Sequence, residues 1–242
     1  MKKKLIMAAL LVLSAILLVV ASVLGTLAFF AASTAVSNTF TVGSVKINML
    51  ESKVNENGED MDGAERTVDN NSYKLVPNKT YKKDPAIFVN ADSVPSYLFV
   101  KIKNGISTIE KQGDPTHITM KEQMVNKGWQ LIKSNASGEE LYLYVGAGNA
   151  VADKKEADVA YASVGPGEAQ VYEIFDNFTV TDTVDETRLA DYAGAKVTIT
   201  AFAIQTDTFT EFQDGLYGYQ RAWNAIVNRF PYESGTQYTV AP

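Results

Sequence analysis

The sequence predicts an all-β protein, an antiparallel β-sandwich with peripheral helices, preceded by an N-terminal signal helix. Three observations favour this fold class. Apolar and polar residues alternate with a period of two along several segments, turn-rich stretches separate those segments, and only two stretches have helical spacing.

The N-terminus has the composition of an export signal. Three consecutive lysines precede an apolar run from Leu5 to Leu24, and Thr26 and Ala28 place small residues where a signal peptidase reads them. We therefore expect a signal peptide at residues 1–28, cleaved before Phe29. Because a run of about 20 apolar residues can cross a bilayer, the alternative is an uncleaved signal, which would then be the chain's contact with a membrane.

The segment that follows the cleavage position, residues 29–42, is apolar and prone to form a strand. Such an end needs a partner in water, either its own domain or a neighbouring copy. If it is donated to a neighbour, alternate side chains would fill the acceptor groove. These donor-strand contacts are Phe30, Ala32, Val36 and Phe40.

Residues 43–242 are expected to form one β-sandwich domain, since their number suits a single large β domain. Near the start of this domain, the apolar pattern shifts by one position between Phe40 and Ile47. A bulge at Gly43 and Ser44 would absorb the extra residue and bend the strand between two sheets.

Three longer segments alternate as half-buried strands do, with one apolar and one more polar side. They span residues 97–102, 141–145 and 196–204. Turn signals separate the strands. These signals are Asn104-Gly105, Asn135 to Gly138, and Gly165-Pro166-Gly167.

Two stretches have helical spacing. The first is Thr119 to Lys127. The second has apolar residues three and four apart from Leu216 to Phe230, with Asp214 as its predicted N-cap and Pro231 as its stop. We expect the second helix to pack on the sandwich and its Trp223 to lie in the core.

Charge and cysteine content restrict the partners and the compartment. The formal net charge is −6, and removal of residues 1–28, which hold three lysines and no acidic residue, makes it −9. An acidic surface of this kind argues against nucleic acid or anionic membrane as a partner. The absence of cysteine in an exported chain suggests an envelope without a disulfide-forming compartment.

Several short motifs, taken together, resemble a known family. The N-terminal motif Gly25-Thr26-Leu27-Ala28-Phe29-Phe30 is followed by Asn38-Thr39-Phe40-Thr41-Val42-Gly43. Further matches occur in the same order downstream: Pro77-Asn78-Lys79-Thr80, Asn90-Ala91-Asp92-Ser93-Val94-Pro95, Gly128-Trp129, Tyr142-Leu143-Tyr144, Ala201-Phe202-Ala203-Ile204-Gln205 and Ala222-Trp223. The chain resembles the TasA and camelysin family of exported biofilm-matrix proteins processed by the dedicated signal peptidase SipW, and the BsaA-like branch is the most similar.

This resemblance implies a jelly-roll topology for the sandwich. It also implies processing by the dedicated signal peptidase, secretion to the extracellular matrix or cell surface, and assembly with copies of itself into fibres. Minor matrix subunits are further partners that the resemblance suggests.

The residues needed for common catalytic and metal sites are scarce. His117 is the single histidine and there is no cysteine, so a two-histidine zinc motif and a thiol nucleophile are both excluded. We interpret His117 as a solvated loop residue. Six carboxylates in polar stretches could form an acid pair only in the folded chain, and we interpret them instead as residues of solvated loops and turns: Glu139, Glu140, Asp182, Asp185, Glu186 and Asp191. No enzyme activity, cofactor or metal is expected.

The acidic segment 55–63 matches the calcium-loop pattern only in part. With Gly63 in the glycine position, Asp60 and Asp62 match two ligand positions, but the first ligand position is Gly58 and the twelfth is Asp69. The pattern favours a mobile acidic loop over a calcium site.

The leading hypothesis is a secreted structural subunit that self-assembles into biofilm-matrix or cell-surface fibres by N-terminal strand donation. The alternative for the segment 29–42 is that it folds back as the first strand of its own domain. Two other functions stay open: a camelysin-like exported metallopeptidase, and a monomeric surface adhesin that uses exposed aromatic residues.

Overall fold

The computed structural model describes residues 31–35, 38–40, 45–61, 63, 65–91, 93–150, 170–209 and 212–229. Within these residues the chain forms twelve strands and three helices. The strands are β1 Ala31–Ala35, β2 Asn38–Phe40, β3 Ile47–Ser52, β4 Arg66–Val68, β5 Thr80–Lys82, β6 Ala86–Val89, β7 Ser96–Asn104, β8 Trp129–Ser134, β9 Glu139–Tyr144, β10 Gln170–Glu173, β11 Asn177–Thr179 and β12 Val197–Gln205. The helices are α1 Met120–Asn126, α2 Glu186–Ala190 and α3 Gly218–Arg229.

The described strands form two main sheets that pack face to face. The large sheet has six strands in the order β2-β1-β12-β7-β9-β8, and the small sheet has four in the order β10-β6-β3-β4. A further two-stranded sheet pairs β11 with β5. All of these pairs are antiparallel. The predicted antiparallel all-β sandwich is therefore confirmed.

The core between the sheets contains alternate residues of the strands at their centres. Ile47 and Met49 of β3 meet Leu98 and Val100 of β7 and Ile199 of β12 in one buried cluster. Val45, Ile47 and Met49 are all buried, as the odd-numbered pattern predicts. The predicted bulge at Gly43 and Ser44 lies outside the described residues.

The large sheet is buried on its other face as well, because α3 packs there. Phe99 of β7 and Phe202 of β12 each lie 5.2 Å, centroid to centroid, from Trp223 of α3. The sequence pattern predicts half-buried strands, and for β7 and β12 this is wrong: Tyr97 to Val100 and Ile199 to Gln205 are buried without alternation. Because α3 covers the second face of the sheet, the side chains on that face are shielded from solvent and need not be polar.

The first predicted helix is confirmed as α1. Thr119 is its N-cap and forms a reciprocal capping box with Glu122, and Lys127 is its C-cap. The buried Gln123 side chain accepts hydrogen bonds from the backbone N–H of Asp176 and donates to the carbonyl of Asn177. This helix therefore joins the start of β8 to β11.

The second predicted helix exists as α3, but its predicted cap is wrong. Asp214 and Gly215 both have positive φ, 53° and 75°, and form the turn of a small hairpin between Gln213 and Leu216. The helix begins later, at Gly218, where the N–H of Tyr217 is accepted by the side chain of Gln220 at 2.9 Å. Phe230 and Pro231 lie outside the described residues.

Several acidic residues that were interpreted as loops lie in regular elements. Glu139 and Glu140 open β9, which pairs with β8 across the predicted turn from Asn135 to Gly138. Asp185 is the N-cap of α2, where its carboxylate accepts from the N–H of Arg188 at 2.9 Å. The helix α2 has only five residues, Glu186 to Ala190, which is too few to produce a helical period in the sequence.

Candidate functional site at the edge of the large sheet

The N-terminal strand β1 lies near one edge of the large sheet and pairs with β12 of the same chain. Ala31 is opposite Ile204, Ala32 is opposite Ala203, and the register runs without a break to Ala35. The chain then turns back, so that β2 pairs with β1 and Phe40 lies opposite Ser33. In this single chain, the described part of the predicted donor segment therefore occupies its own domain, which is the fold-back arrangement.

The remaining predicted residues of this region have no described position. Thr26, Ala28 and Phe29 of the cleavage site lie outside the described residues. The same is true of Phe30 and Val36 among the donor-strand contacts, and of the signal segment 1–28. Of the donor-strand contacts, the structure thus places Ala32 and Phe40.

The pairing of β1 leaves one end of β12 uncovered. β7 pairs with β12 along its whole length from Val197 to Gln205. On the other side of β12, β1 pairs with Thr200 to Ile204, and no other described strand pairs with Val197 to Ile199. Within the described part of the chain this short stretch of backbone has no strand partner on that side, and an edge of this kind can accept an additional strand.

A cleft of about 960 Å³ lies beside this uncovered stretch. Its lining includes Val197 to Ile199 of β12 and Met49 to Glu51 of β3, so it opens where the edges of the two sheets meet. β1 also lies next to β3, and the cleft lies beyond the end of β1 along β12. No local pattern in the sequence indicates this cleft, because its walls come from segments about 150 residues apart in the chain.

The floor of the cleft is apolar and one wall is polar. The apolar lining residues include Ile106, Phe178 and Leu189. The polar wall contains Glu51 and Lys83, whose side chains form an ion pair at 2.7 Å with both groups largely buried. An apolar floor beside a free strand edge can accept alternate side chains from an added strand.

Tyr73 belongs to the same wall and donates its hydroxyl to the carbonyl of Lys82 at 3.0 Å. Burial raises the pKa of its hydroxyl well above the ordinary range, and the negative charges of Glu51 and Asp84 add to this effect. Tyr73 therefore stays protonated and acts as a donor.

A second group of polar residues, in which Ser52 and Asp84 are buried, fixes β3 to its neighbours. The Asp84 carboxylate accepts from the N–H and the hydroxyl of Ser52 at 2.8 and 2.7 Å. Arg66 donates to the carbonyl of Asp84 and to the carboxylate of Glu173. This group ties β3, β4 and β10 together and holds the wall of the cleft in place.

The opposite edge of the large sheet is protected against strand addition. β8 is its last described strand, and its pairing with β9 shifts register between Leu131 and Lys133. A bulge and a lysine on an edge strand both hinder pairing with another chain. Strand addition is therefore directed to the edge that carries β1.

The residues considered for metal binding lie apart from the cleft. His117 contacts Asp114 and Thr116 through Nδ1, at 3.1 and 2.8 Å. In the acidic loop, Asp60 forms an ion pair with Lys82 at 2.6 Å. Among the described residues, no group of three or more His, Cys, Asp or Glu side chains is placed to hold a metal ion. None of the described helices is long and apolar enough to span a bilayer.

Comparison of the chain with family models, with curated proteins and with solved structures gave no match.

Proposed function

We propose that this chain is a secreted structural subunit that self-assembles into extracellular fibres of a biofilm matrix or cell surface by N-terminal strand donation. The observation that carries the proposal is the edge of β12, which is partly covered by the N-terminal strand β1 and adjoins a cleft with an apolar floor. The proposal includes removal of residues 1–28 by a dedicated signal peptidase and a jelly-roll topology for the sandwich.

The register of β1 supports this proposal. If the segment 29–42 of a neighbouring copy stayed extended instead of turning back after Ala35, the same register would place Val36 opposite Ile199 and Phe40 opposite Ala195. Ile199 lies in the core between the sheets, and Ala195 lines the cleft. The donated strand would thus cover the uncovered end of β12 and fill the cleft.

The energies favour donation once a neighbour is available. Each added strand hydrogen bond contributes about 1 kcal/mol net, and each buried valine or phenylalanine contributes about 2 kcal/mol. The extended strand exchanges the three register pairs between β1 and β2 for pairing with Val197 to Ile199, so the gain comes from burial of Val36 and Phe40 in the cleft. Because each copy gives its strand to the next, the contact is heterologous and extends into a filament.

The experiment is a pair of single substitutions in the exported protein, Val36→Asp and Ser37→Asp. In the extended register, Val36 lies opposite the buried Ile199, whereas Ser37 lies opposite the exposed Thr198. Val36→Asp places a charge in the cleft and is expected to abolish fibres in electron micrographs. Ser37→Asp adds the same charge on the other face and is expected to leave fibres intact.

Circular dichroism of both variants checks that the monomer is folded, and N-terminal sequencing checks that Phe29 is the first residue. An N-terminal extension that follows the cleavage site gives a second test, because it should keep the domain folded and prevent assembly. Normal fibres from Val36→Asp or from the extended protein would contradict the proposal.

A monomeric adhesin is the second candidate function, favoured by one observation. Phe212 and Tyr217 flank the Asp214-Gly215 turn with ring centroids 5.0 Å apart and are 62% and 37% exposed. Exposed aromatic pairs mark contact sites for partners. Light scattering of the exported protein under fibre-forming conditions separates the two candidates, since an adhesin would remain monomeric.

The camelysin-like metallopeptidase is distinguished by incubation of the purified exported protein with casein, with and without a chelator. The structural proposal predicts no cleavage. Cleavage of casein that the chelator abolishes would contradict the structural proposal and favour a metallopeptidase.

A further inference from the structure

Three side chains meet on the polar wall of the cleft: Glu51, Lys83 and Asn71. The carboxamide of Asn71 is an addition to the ion pair between Glu51 and Lys83. Glu51 is buried, with 3% of its surface exposed. Its Oε2 accepts from Lys83 Nζ at 2.7 Å, and its Oε1 accepts from the carboxamide nitrogen of Asn71 at 2.9 Å. One carboxylate therefore holds an amine and a carboxamide side by side.

The carboxamide of Asn71 is also polarised at its oxygen. The backbone N–H of Val54 donates to Asn71 Oδ1 at 3.0 Å, while Asn71 Nδ2 donates a second hydrogen bond to the carbonyl of Ser52 at 2.8 Å. A donor aimed at the carbonyl oxygen makes the carbon more electrophilic and stabilises the negative charge that a tetrahedral intermediate carries. The two acceptors around Nδ2 orient the group that would leave.

We propose that Lys83 and Asn71 form an intramolecular isopeptide bond, with Glu51 as the carrier of the proton. This proposal does not depend on the assembly proposed above. A lysine amine is a nucleophile when it is deprotonated, a carboxylate within hydrogen-bonding distance serves as its base, and the fold holds the reacting groups together.

The reaction balances without any other reactant. The Lys83 ammonium gives one proton to Glu51, and the free amine attacks the carbonyl carbon of Asn71, so that a new carbon–nitrogen bond forms. Glu51 then passes the proton to Asn71 Nδ2 as the old carbon–nitrogen bond breaks. Ammonia leaves and takes up the remaining amine proton, so the products are one secondary amide and one ammonium ion. The cleft gives the ammonia a way out to solvent.

A lysine–asparagine contact elsewhere in the described part of the chain lacks this arrangement. Lys79 Nζ donates to Asn57 Oδ1 at 3.1 Å on the exposed surface, and no carboxylate bridges these two groups. Lys79 also lies over the ring of Tyr81, at 5.2 Å from the centroid. Lys79 and Asn57 therefore provide a matched control in the same protein.

The bond would close a loop that runs from Asn71 to Lys83 and contains β5. That loop forms one wall of the cleft and pairs β5 with β11. Covalent closure restricts the unfolded chain and so stabilises the folded one, by the same reasoning that applies to a disulfide.

The test is a tryptic digest of the folded, exported protein, analysed by mass spectrometry. The bond predicts one branched product in which peptide Thr67–Lys74 is joined to peptide Lys83–Lys101, because trypsin does not cleave after an acylated lysine. Its mass is that of the two peptides less one ammonia. Fragmentation of the product locates the link at Asn71 and not at its neighbour Asn70.

Three variants complete the test. Lys83→Arg keeps the positive charge but has no amine to acylate, so the branched product should disappear completely. Glu51→Gln should abolish it by removing the base, and Lys79→Arg should leave it at the wild-type level. The thermal melting temperature of Lys83→Arg should also fall relative to Lys79→Arg.

Unlinked peptides from the folded wild-type protein would overturn the proposal, and a branched product in Glu51→Gln would overturn the role of Glu51. If Glu51→Gln fails to fold, the comparison of wild type with Lys83→Arg still decides whether the bond exists.

Discussion

Glu110 shows how a single buried carboxylate is held at the start of a helix. Its Oε1 accepts from the N–H of Met120, the first residue of α1, at 2.6 Å, and its Oε2 accepts from Asn104 at 3.1 Å. Burial raises the pKa of this carboxyl, an effect that these two hydrogen bonds offset only in part. The folded state therefore binds the proton of Glu110 more tightly than the unfolded state does.

The first prediction concerns Glu110→Gln, which keeps an acceptor oxygen for the N–H of Met120. Because the pKa of Glu110 is raised on folding, its contribution to stability is fully present below the unfolded pKa and is lost as the pH rises through the folded pKa. The stability of the variant relative to wild type should thus increase as the pH rises above the ordinary pKa of a glutamate, about 4.3. Urea unfolding at several pH values measures this, and a difference that is constant with pH would contradict it.

The contribution of Glu173 to stability depends on pH in the opposite direction. Hydrogen bonds from Lys127 and Arg66 lower the pKa of its carboxyl, so its contribution is present above the unfolded pKa and is lost as the pH falls through the folded pKa. Because its side chain is 43% exposed, Glu173→Gln should cost less than about 1 kcal/mol at neutral pH and nothing in strong acid. The same urea series measures this, and a loss that grows on acidification would contradict the assignment.

At the scale of elements, α3 turns an open sheet face into a second core. Trp223 is fully buried and contacts Phe99 and Phe202. Trp223→Ala should therefore reduce the free energy of unfolding by about 3–5 kcal/mol, and Trp223→Phe by less. Phe212→Ala is the control, since that ring is 62% exposed and its loss should change stability by no more than about 0.5 kcal/mol. Equal losses for Trp223→Ala and Phe212→Ala would contradict this packing.

The start of α3 is fixed by close packing at Gly218. A Cβ at this position would lie 1.7 Å from the carbonyl oxygen of Phe209 and 2.5 Å from the hydroxyl of Tyr97, which itself donates to Phe209. Gly218→Ala should cost about 2–3 kcal/mol through this overlap. Gly138→Ala, in open space at a φ of +74°, should cost about 1 kcal/mol from backbone strain alone. Thermal unfolding compares the two, and a milder Gly218→Ala would show that the helix start can shift.

The elements also show what sequence patterns can and cannot predict. The capping box of α1 is local, with Thr119 and Glu122 three residues apart, and the sequence predicts that helix closely. The start of α3 depends instead on a contact with Phe209 and Tyr97 from distant parts of the chain, so a local cap signal at Asp214 was misleading. The alternation in β7 and β12 predicts strands, but it cannot reveal the helix that buries their second face.

At the scale of the whole molecule, the two edges of the large sheet differ. β8 carries a shift in register and lysine at one edge, whereas the other edge is closed by the N-terminal strand β1 and the short β2. The sequence predicts a β-prone N-terminal segment, but its partner on β12 lies about 170 residues away and only the folded chain identifies it. The cleft was not predictable for the same reason.

In the proposed assembly, β1 is the part of the molecule that is exchanged between copies. In the single chain it pairs with its own β12, and in the proposed fibre it pairs with the β12 of the next copy. Because the register is known and the chain has no cysteine, a disulfide can report which of the two pairings exists. Directly opposed residues of antiparallel strands are close enough for such a bond.

The most direct measurement is the oxidation of assembled Ala32→Cys, Ala203→Cys protein, followed by a denaturing gel without reductant. Ala32 and Ala203 are register partners between β1 and β12. As a control, Lys103→Cys, Thr198→Cys joins β7 to β12, which stay within one copy. Strand donation predicts a ladder of covalently linked multimers for the first pair and monomers for the control. Fibres that release only monomers from both pairs would contradict strand donation.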